Sequence, residues 1–270
     1  MIGIIIELII SWLLLKFGAK KDLSVLGFKP NQTRLLHWSI GFLLAAAICS
    51  LYHIMTTAFI NNGWILNKQL TFSTALMSSW WVLKSVLFEE LLFRGALLYL
   101  AIEKWGSTKA CIFSAICFGI YHWFSYNAFG NPFQMGIIFV MTAIFGWMLA
   151  VSFAKTKSLY LPIGLHLGWN LFNIVVFSNG PLGKQLFMKA NESHLEGIPS
   201  LLVFVFQIFA LPLLMYGYFK LKNRIKKQLQ FLETALKIYM YVFLINLKVK
   251  HIPNKHYFSG NTSGGNACIC

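Results

Sequence analysis

The sequence predicts an all-α, multi-pass transmembrane helix bundle around a polar cavity, and three observations carry that expectation. Of 270 residues, 57% are hydrophobic and 16% aromatic, against 11% charged, and mean hydropathy is +0.65. Apolar runs of roughly 17 to 25 residues, the length that crosses a hydrocarbon core about 30 Å thick, recur along the chain. Between those runs the Lys and Arg residues concentrate in alternate loops, as in membrane proteins with a fixed orientation.

The runs cover approximately 1–17, 35–60, 74–101, 108–126, 134–154, 158–178 and 198–220. The first has no basic leading region and no small-residue cleavage site before Lys16, so it reads as a span and not as a signal peptide. Loop 16–34 carries Lys16, Lys20, Lys21, Lys29 and Arg34. Later basic loops hold Lys104 with Lys109, then Lys155 with Lys157, and "KLKNRIKKQ" follows the last run. Seven spans then place the N-terminus outside and the C-terminus in the cytoplasm of a cell membrane. The net charge of +15 marks the inner face, where basic residues meet anionic lipid. With no soluble basic domain, membrane lipids are expected partners and nucleic acid is not.

No linker or internal repeat divides residues 1–228, which are expected to form one transmembrane domain. A basic, amphipathic tail follows over 229–270. Within it, 231–248 reads as an interfacial helix, with an eighth span as the alternative. The Gly-, Ser- and Asn-rich end, "NKHYFSGNTSGGNACIC", reads as disordered. Cys49, Cys111, Cys117, Cys268 and Cys270 show no ligand spacing. The ending "NACIC" has alanine where a prenylation box requires cysteine, so the chain is not itself an expected prenyl substrate.

Ionisable residues inside a bilayer cost about 2.5 to 3.5 kcal/mol on insertion scales, so each one in mid-span is a functional candidate. Those singled out are Glu89, Glu90 and Arg94 in the third run, His122 in the fourth, and His166 with Asn170 in the sixth, Asn173 lying one turn on. At about 1.5 Å of rise per residue from the inner ends, Glu89 falls near 20 Å, His122 near 21 Å, and His166 and Asn170 roughly 12 and 18 Å. One polar layer on three helices follows, opening toward the cytoplasm. Lys84 precedes this set. His37 and His53, in the second run, read as structural, each hydrogen-bonded to a neighbouring helix.

Spacing sorts the set, because residues four apart share a helix face while adjacent ones diverge by about 100°. Glu90 and Arg94 are four apart and can pair, which makes Glu90 an orienting or structural group. Glu89 points elsewhere and is the better candidate base. His166 and Asn170 share a face, and Phe118 can wall His122 off from lipid.

At these residues the chain resembles the intramembrane proteases that include the CAAX prenyl endopeptidases and the bacteriocin-processing and immunity proteins, the Abi or CPBP family. E-E-x-x-x-R stands as Glu89, Glu90 and Arg94; F-x-x-x-H as Phe118 and His122; H-x-x-x-N as His166 and Asn170. The likeness covers about residues 70–180. It implies an endopeptidase that hydrolyses a peptide bond in a membrane-associated protein or peptide. Glu89 and His122 would activate a water, His166 and Asn170 would stabilise the oxyanion, and Glu90 and Arg94 would hold the helix. The family is commonly labelled metalloprotease, and Glu89, His122 and His166 are a workable zinc set leaving a fourth position for water, although H-E-x-x-H is absent. A non-catalytic immunity or scaffold protein and a proton-coupled transporter remain the competing readings.

Overall fold

In the computed structural model, which describes residues 2–177 and 185–250, helices account for nearly all regular structure. In chain order these are α1 (Ile2–Ala19), α2 (Gln32–Ala58), α3 (Phe72–Arg94), α4 (Ala96–Trp105), α5 (Ser107–Ser125), α6 (Pro132–Thr156), α7 (Tyr160–Leu171) and α8 (Gly197–Lys250). Side chains written into the sequence start several of them. Asn31 accepts from the Arg34 amide at 2.8 Å, Thr71 from the Thr74 amide at 3.2 Å, and Asn131 from the Gln134 amide at 3.1 Å. Each satisfies a donor that the first helical turn leaves open.

Among the described residues, four stretches are long and apolar enough to cross a membrane: α1, α2, α6 and Gly197–Tyr241 of α8. α7 with the π-helical turn that follows it, Phe172–Val176, forms a shorter apolar stretch, Tyr160–Val176. The run expected over 74–101 is two helices, because the chain breaks between Arg94 and Ala96. Gly95 takes φ −78 and ψ −137, and a Cβ there would stand 2.1 Å from the Leu91 carbonyl oxygen. Only glycine makes this break without a backbone collision.

A small antiparallel ribbon was not expected. β1 (Trp64–Leu66) pairs with β2 (Phe187–Lys189) in the register Trp64↔Lys189, Ile65↔Met188 and Leu66↔Phe187. Strands of three residues are too short to show an alternating pattern in sequence.

The chain divides into two compact units at Tyr216–Gly217, inside α8 and ahead of residue 229. In the second unit, 231–248 is helical but continuous with the helix before it. No proline lies between Gly217 and Lys250 to stop the helix. The Gly/Ser-rich end at 254–270 and the thiols of Cys268 and Cys270 lie outside the described residues.

Within the first unit, Leu15, Leu26, Leu98, Ala110, Phe153 and Leu159 belong to one buried cluster, joining α1, α4, α5 and α6 to the loops beside them. The Leu159 amide donates to the Leu26 carbonyl at 3.1 Å. The basic loops around residues 20–29 and 155–157 therefore lie at the same end, as the charge alternation required.

Two glycines of α7 let it come close to the α2 backbone. A Cβ on Gly164 would fall 2.3 Å from the Trp38 carbonyl oxygen, and one on Gly168 2.3 Å from that of Phe42. Small residues four apart let two backbones meet in this way inside a membrane. His166, midway between them in sequence, projects from nearly the opposite side of α7, toward α3.

Candidate active site

Three helices bring the expected polar residues together. α3 supplies Glu89, Glu90 and Arg94, α5 supplies His122, and α7 supplies His166; Glu90 and Arg94 are fully buried. Arg94 Nη1 donates to Glu90 Oε1 at 3.2 Å, the four-residue pairing expected from spacing. Its Nη2 donates to the Gly146 carbonyl of α6 at 3.1 Å. The guanidinium lies over the Phe118 ring, 4.1 Å from its centroid. A desolvated cation gains from such an aromatic face.

Glu90 does more than balance Arg94. The same Oε1 atom lies 2.7 Å from Nδ1 of His166. A carboxylate only accepts, so Nδ1 carries a proton, and Nε2 faces away from Glu90. His122 is fixed in the same sense, its Nδ1 donating to the Phe118 carbonyl at 2.8 Å.

Both Nε2 atoms face Glu89. Its Oε2 stands 3.8 Å from His166 Nε2 and 4.0 Å from His122 Nε2. Ser85, one turn earlier on α3, donates to the other oxygen, Oε1, at 3.3 Å. Oε2 itself is buried and has no hydrogen-bond partner among the described residues. The two adjacent glutamates thus reach opposite nitrogens of one imidazole.

Other expectations change in detail. Phe118 is 1% exposed and sits between Arg94 and the imidazoles of His122 and His166, at ring separations of 4.4 and 6.0 Å. It forms an interior wall of the site. Asn170 is half-buried one turn from His166, and its amide makes no hydrogen bond to a described residue. Asn173 is drawn elsewhere: its Oδ1 lies 2.9 Å from Nε2 of His53, fastening α2 to the π-helical turn. Lys84 lies near the Trp80 ring, and His37 is buried. Cys49, Cys111 and Cys117 are free thiols.

Several neighbours carried no sequence signal. Gly146 has none, yet a Cβ there would come 2.7 Å from Phe118 Cδ1 and 3.1 Å from Arg94 Nη2. Phe145 packs edge-on against His166 at 5.5 Å. Glu7 did carry a signal, as a carboxylate within the first apolar run, and it is buried with neither oxygen hydrogen-bonded.

A zinc held by Glu89, His122 and His166 would need donors at the corners of a tetrahedron with bonds about 2.0 to 2.1 Å long, whose edges are about 3.3 Å. The separations of 3.8 and 4.0 Å exceed that edge. Among the described residues, no three His, Cys, Asp or Glu side chains are arranged to hold a metal ion. As placed, the donors do not fit the metal.

No curated protein and no solved structure matches the chain. A family model does match, over residues 71–172, and its description is type II CAAX prenyl endopeptidase, Rce1-like. That segment holds Glu89, Glu90, Arg94, Phe118, His122, His166 and Asn170, and stops short of Asn173. Over that segment the chain is similar to the type II CAAX prenyl endopeptidases.

Proposed function

We propose that this protein is an intramembrane endopeptidase of the CAAX prenyl type, hydrolysing a peptide bond in a membrane-associated protein or peptide. One observation carries the reading: the unpartnered Oε2 of Glu89 faces two imidazole nitrogens whose rings are each anchored from behind. A separation of 3.8 to 4.0 Å suits one water hydrogen-bonded to both sides at about 2.8 Å.

Glu89 then acts as general base. It takes a proton from the water as the water oxygen bonds to the peptide carbonyl carbon, and His122 Nε2 accepts a hydrogen bond from the O–H that remains. The carbonyl oxygen becomes the oxyanion. Neutral His166 has no proton on Nε2 to offer it, so His166 serves this step as imidazolium, its Nδ1 proton held by Glu90. Asn170, whose amide has no competing partner among the described residues, supplies a second donor. Such donors count for most in a dry site where they need no reorganisation. When the C–N bond breaks, Glu89 returns its proton to the leaving amine, giving a carboxylic acid and a free amine.

The basic loops gathered at one end support a cell-membrane protein with that end in the cytoplasm. The same charge pattern is the ground for proposing that substrate enters from the cytoplasmic side. The test is release of the terminal tripeptide from a farnesylated CAAX peptide by purified protein in nanodiscs. Wild type cleaves, while Glu89→Gln, His122→Ala and His166→Ala, each with unchanged circular dichroism, do not. Cleavage at the wild-type rate by Glu89→Gln ends the reading.

A further inference from the structure

A cavity of about 390 Å³ lies apart from the polar site, among α3, α4 and α5. It occupies the wedge below the break at Gly95. Leu97 and Ala101 of α4 face Phe113 of α5 across it, and Phe93 of α3 closes its inner end. Phe93 packs edge-on against Phe118 at 5.1 Å, so this ring separates the cavity from the proposed catalytic residues.

The lining has a single charged residue, Lys104, with Trp105 beside it. These two end α4 at the basic end of the unit. Lys104 is exposed and has no ion-pair partner among the described residues. Deeper in, the Ser114 hydroxyl is already spent on the Phe93 carbonyl at 2.9 Å. The interior therefore offers a ligand no free side-chain O–H or N–H donor, and the mouth offers one ammonium. That pattern selects an amphiphile with a hydrocarbon body and an anionic end.

We infer that the wedge is a lipid site: one acyl chain of an anionic membrane phospholipid lies between α4 and α5, with its phosphate against Lys104 and Trp105. The bilayer supplies the lipid, and the basic end of the unit places the mouth at the depth of the headgroups. An interfacial tryptophan next to a lysine is the usual anchor at that depth. The site is independent of peptide hydrolysis.

The test reads bound lipid directly. Full-length protein is exchanged into nanodiscs of equal phosphatidylcholine and phosphatidylglycerol, released in a mass spectrometer, and its retained lipid is identified. Wild type keeps one phosphatidylglycerol in preference to phosphatidylcholine. Lys104→Ala reduces that preference about fivefold, since one lysine near an anionic surface is worth about 1 kcal/mol. Ala101→Phe, which fills the wedge, removes the retained lipid whatever its headgroup. Lys104 is exposed, so its variant tests the site even if Ala101→Phe folds poorly. Equal headgroup preference in wild type and Lys104→Ala, or a free fatty acid or isoprenoid as the retained molecule, would overturn the assignment. Because the readout is lipid mass, neither result depends on whether the protein cleaves peptides.

Discussion

Nδ1 of His166 on α7 donates to Oε1 of Glu90 on α3 across 2.7 Å, and that oxygen also accepts from Arg94. Glu90 is therefore the joint between a buried cation and the imidazole of the proposed site. Removing its charge leaves Arg94 desolvated without compensation and releases the His166 ring. Glu90→Ala is expected to cost about 3 to 5 kcal/mol of stability, the range for breaking one side of a buried ion pair. Replacing both partners, Glu90→Gln with Arg94→Met, should restore most of that stability. Activity should stay down 10- to 100-fold, as when the partner that orients an active imidazole is lost. Thermal unfolding and kcat in the same preparations separate the two effects; a double variant that recovers both would make Glu90 merely structural.

Gly146 is expected to tolerate nothing larger. A methyl group there meets Phe118 and Arg94 Nη2 at 2.7 and 3.1 Å, so Gly146→Ala must push the Phe118 ring or the guanidinium aside. Overpacking of this kind costs about 1 to 3 kcal/mol, and Phe118 stands next to both imidazoles. The melting temperature should fall, and hydrolysis should fall further than the loss of folded protein explains.

Glu7 and Glu89 each bury an oxygen without a hydrogen bond, but nothing like the pair of imidazoles facing Glu89 is arranged around Glu7. An unpaired carboxyl in apolar surroundings is a cost of about 1 to 3 kcal/mol. Glu7→Leu should then raise the unfolding temperature and leave hydrolysis near wild type. Glu89→Leu should abolish hydrolysis at little cost to folding. A Glu7→Leu variant that folds but is inactive would give α1 a place in the chemistry.

How much of this was legible in the sequence follows from the reach of each interaction. Glu90 with Arg94 could be read because both lie on one helix four residues apart, and the polar layer because charge in an apolar run is costly wherever it occurs. The bond from His166 to Glu90 joins positions 76 residues apart, and no local spacing encodes it. The division of labour between the glutamates was therefore seen only in part. The break at Gly95 was missed because a glycine inside an apolar run reads equally well as a packing residue. Gly146 was invisible because it acts through a carbonyl and through the absence of a side chain.

Glu89 Oε2 lies 3.8 and 4.0 Å from the two imidazole nitrogens, wider than the about 3.3 Å edge of a zinc tetrahedron and suited to a bridging water. Each ring is anchored through Nδ1, His166 to a buried carboxylate and His122 to the backbone of its own helix. Closing the set onto a metal would require Glu89 to swing from Ser85 or α5 to shift against α3. Protein dialysed against chelator until elemental analysis finds less than one metal ion per ten chains should keep its full rate on the farnesylated peptide. Zinc added back should not increase that rate. If activity instead vanishes with the metal and returns in proportion to zinc restored, the water on Glu89 is metal-bound, and the three donors move together by several tenths of an ångström in the working enzyme.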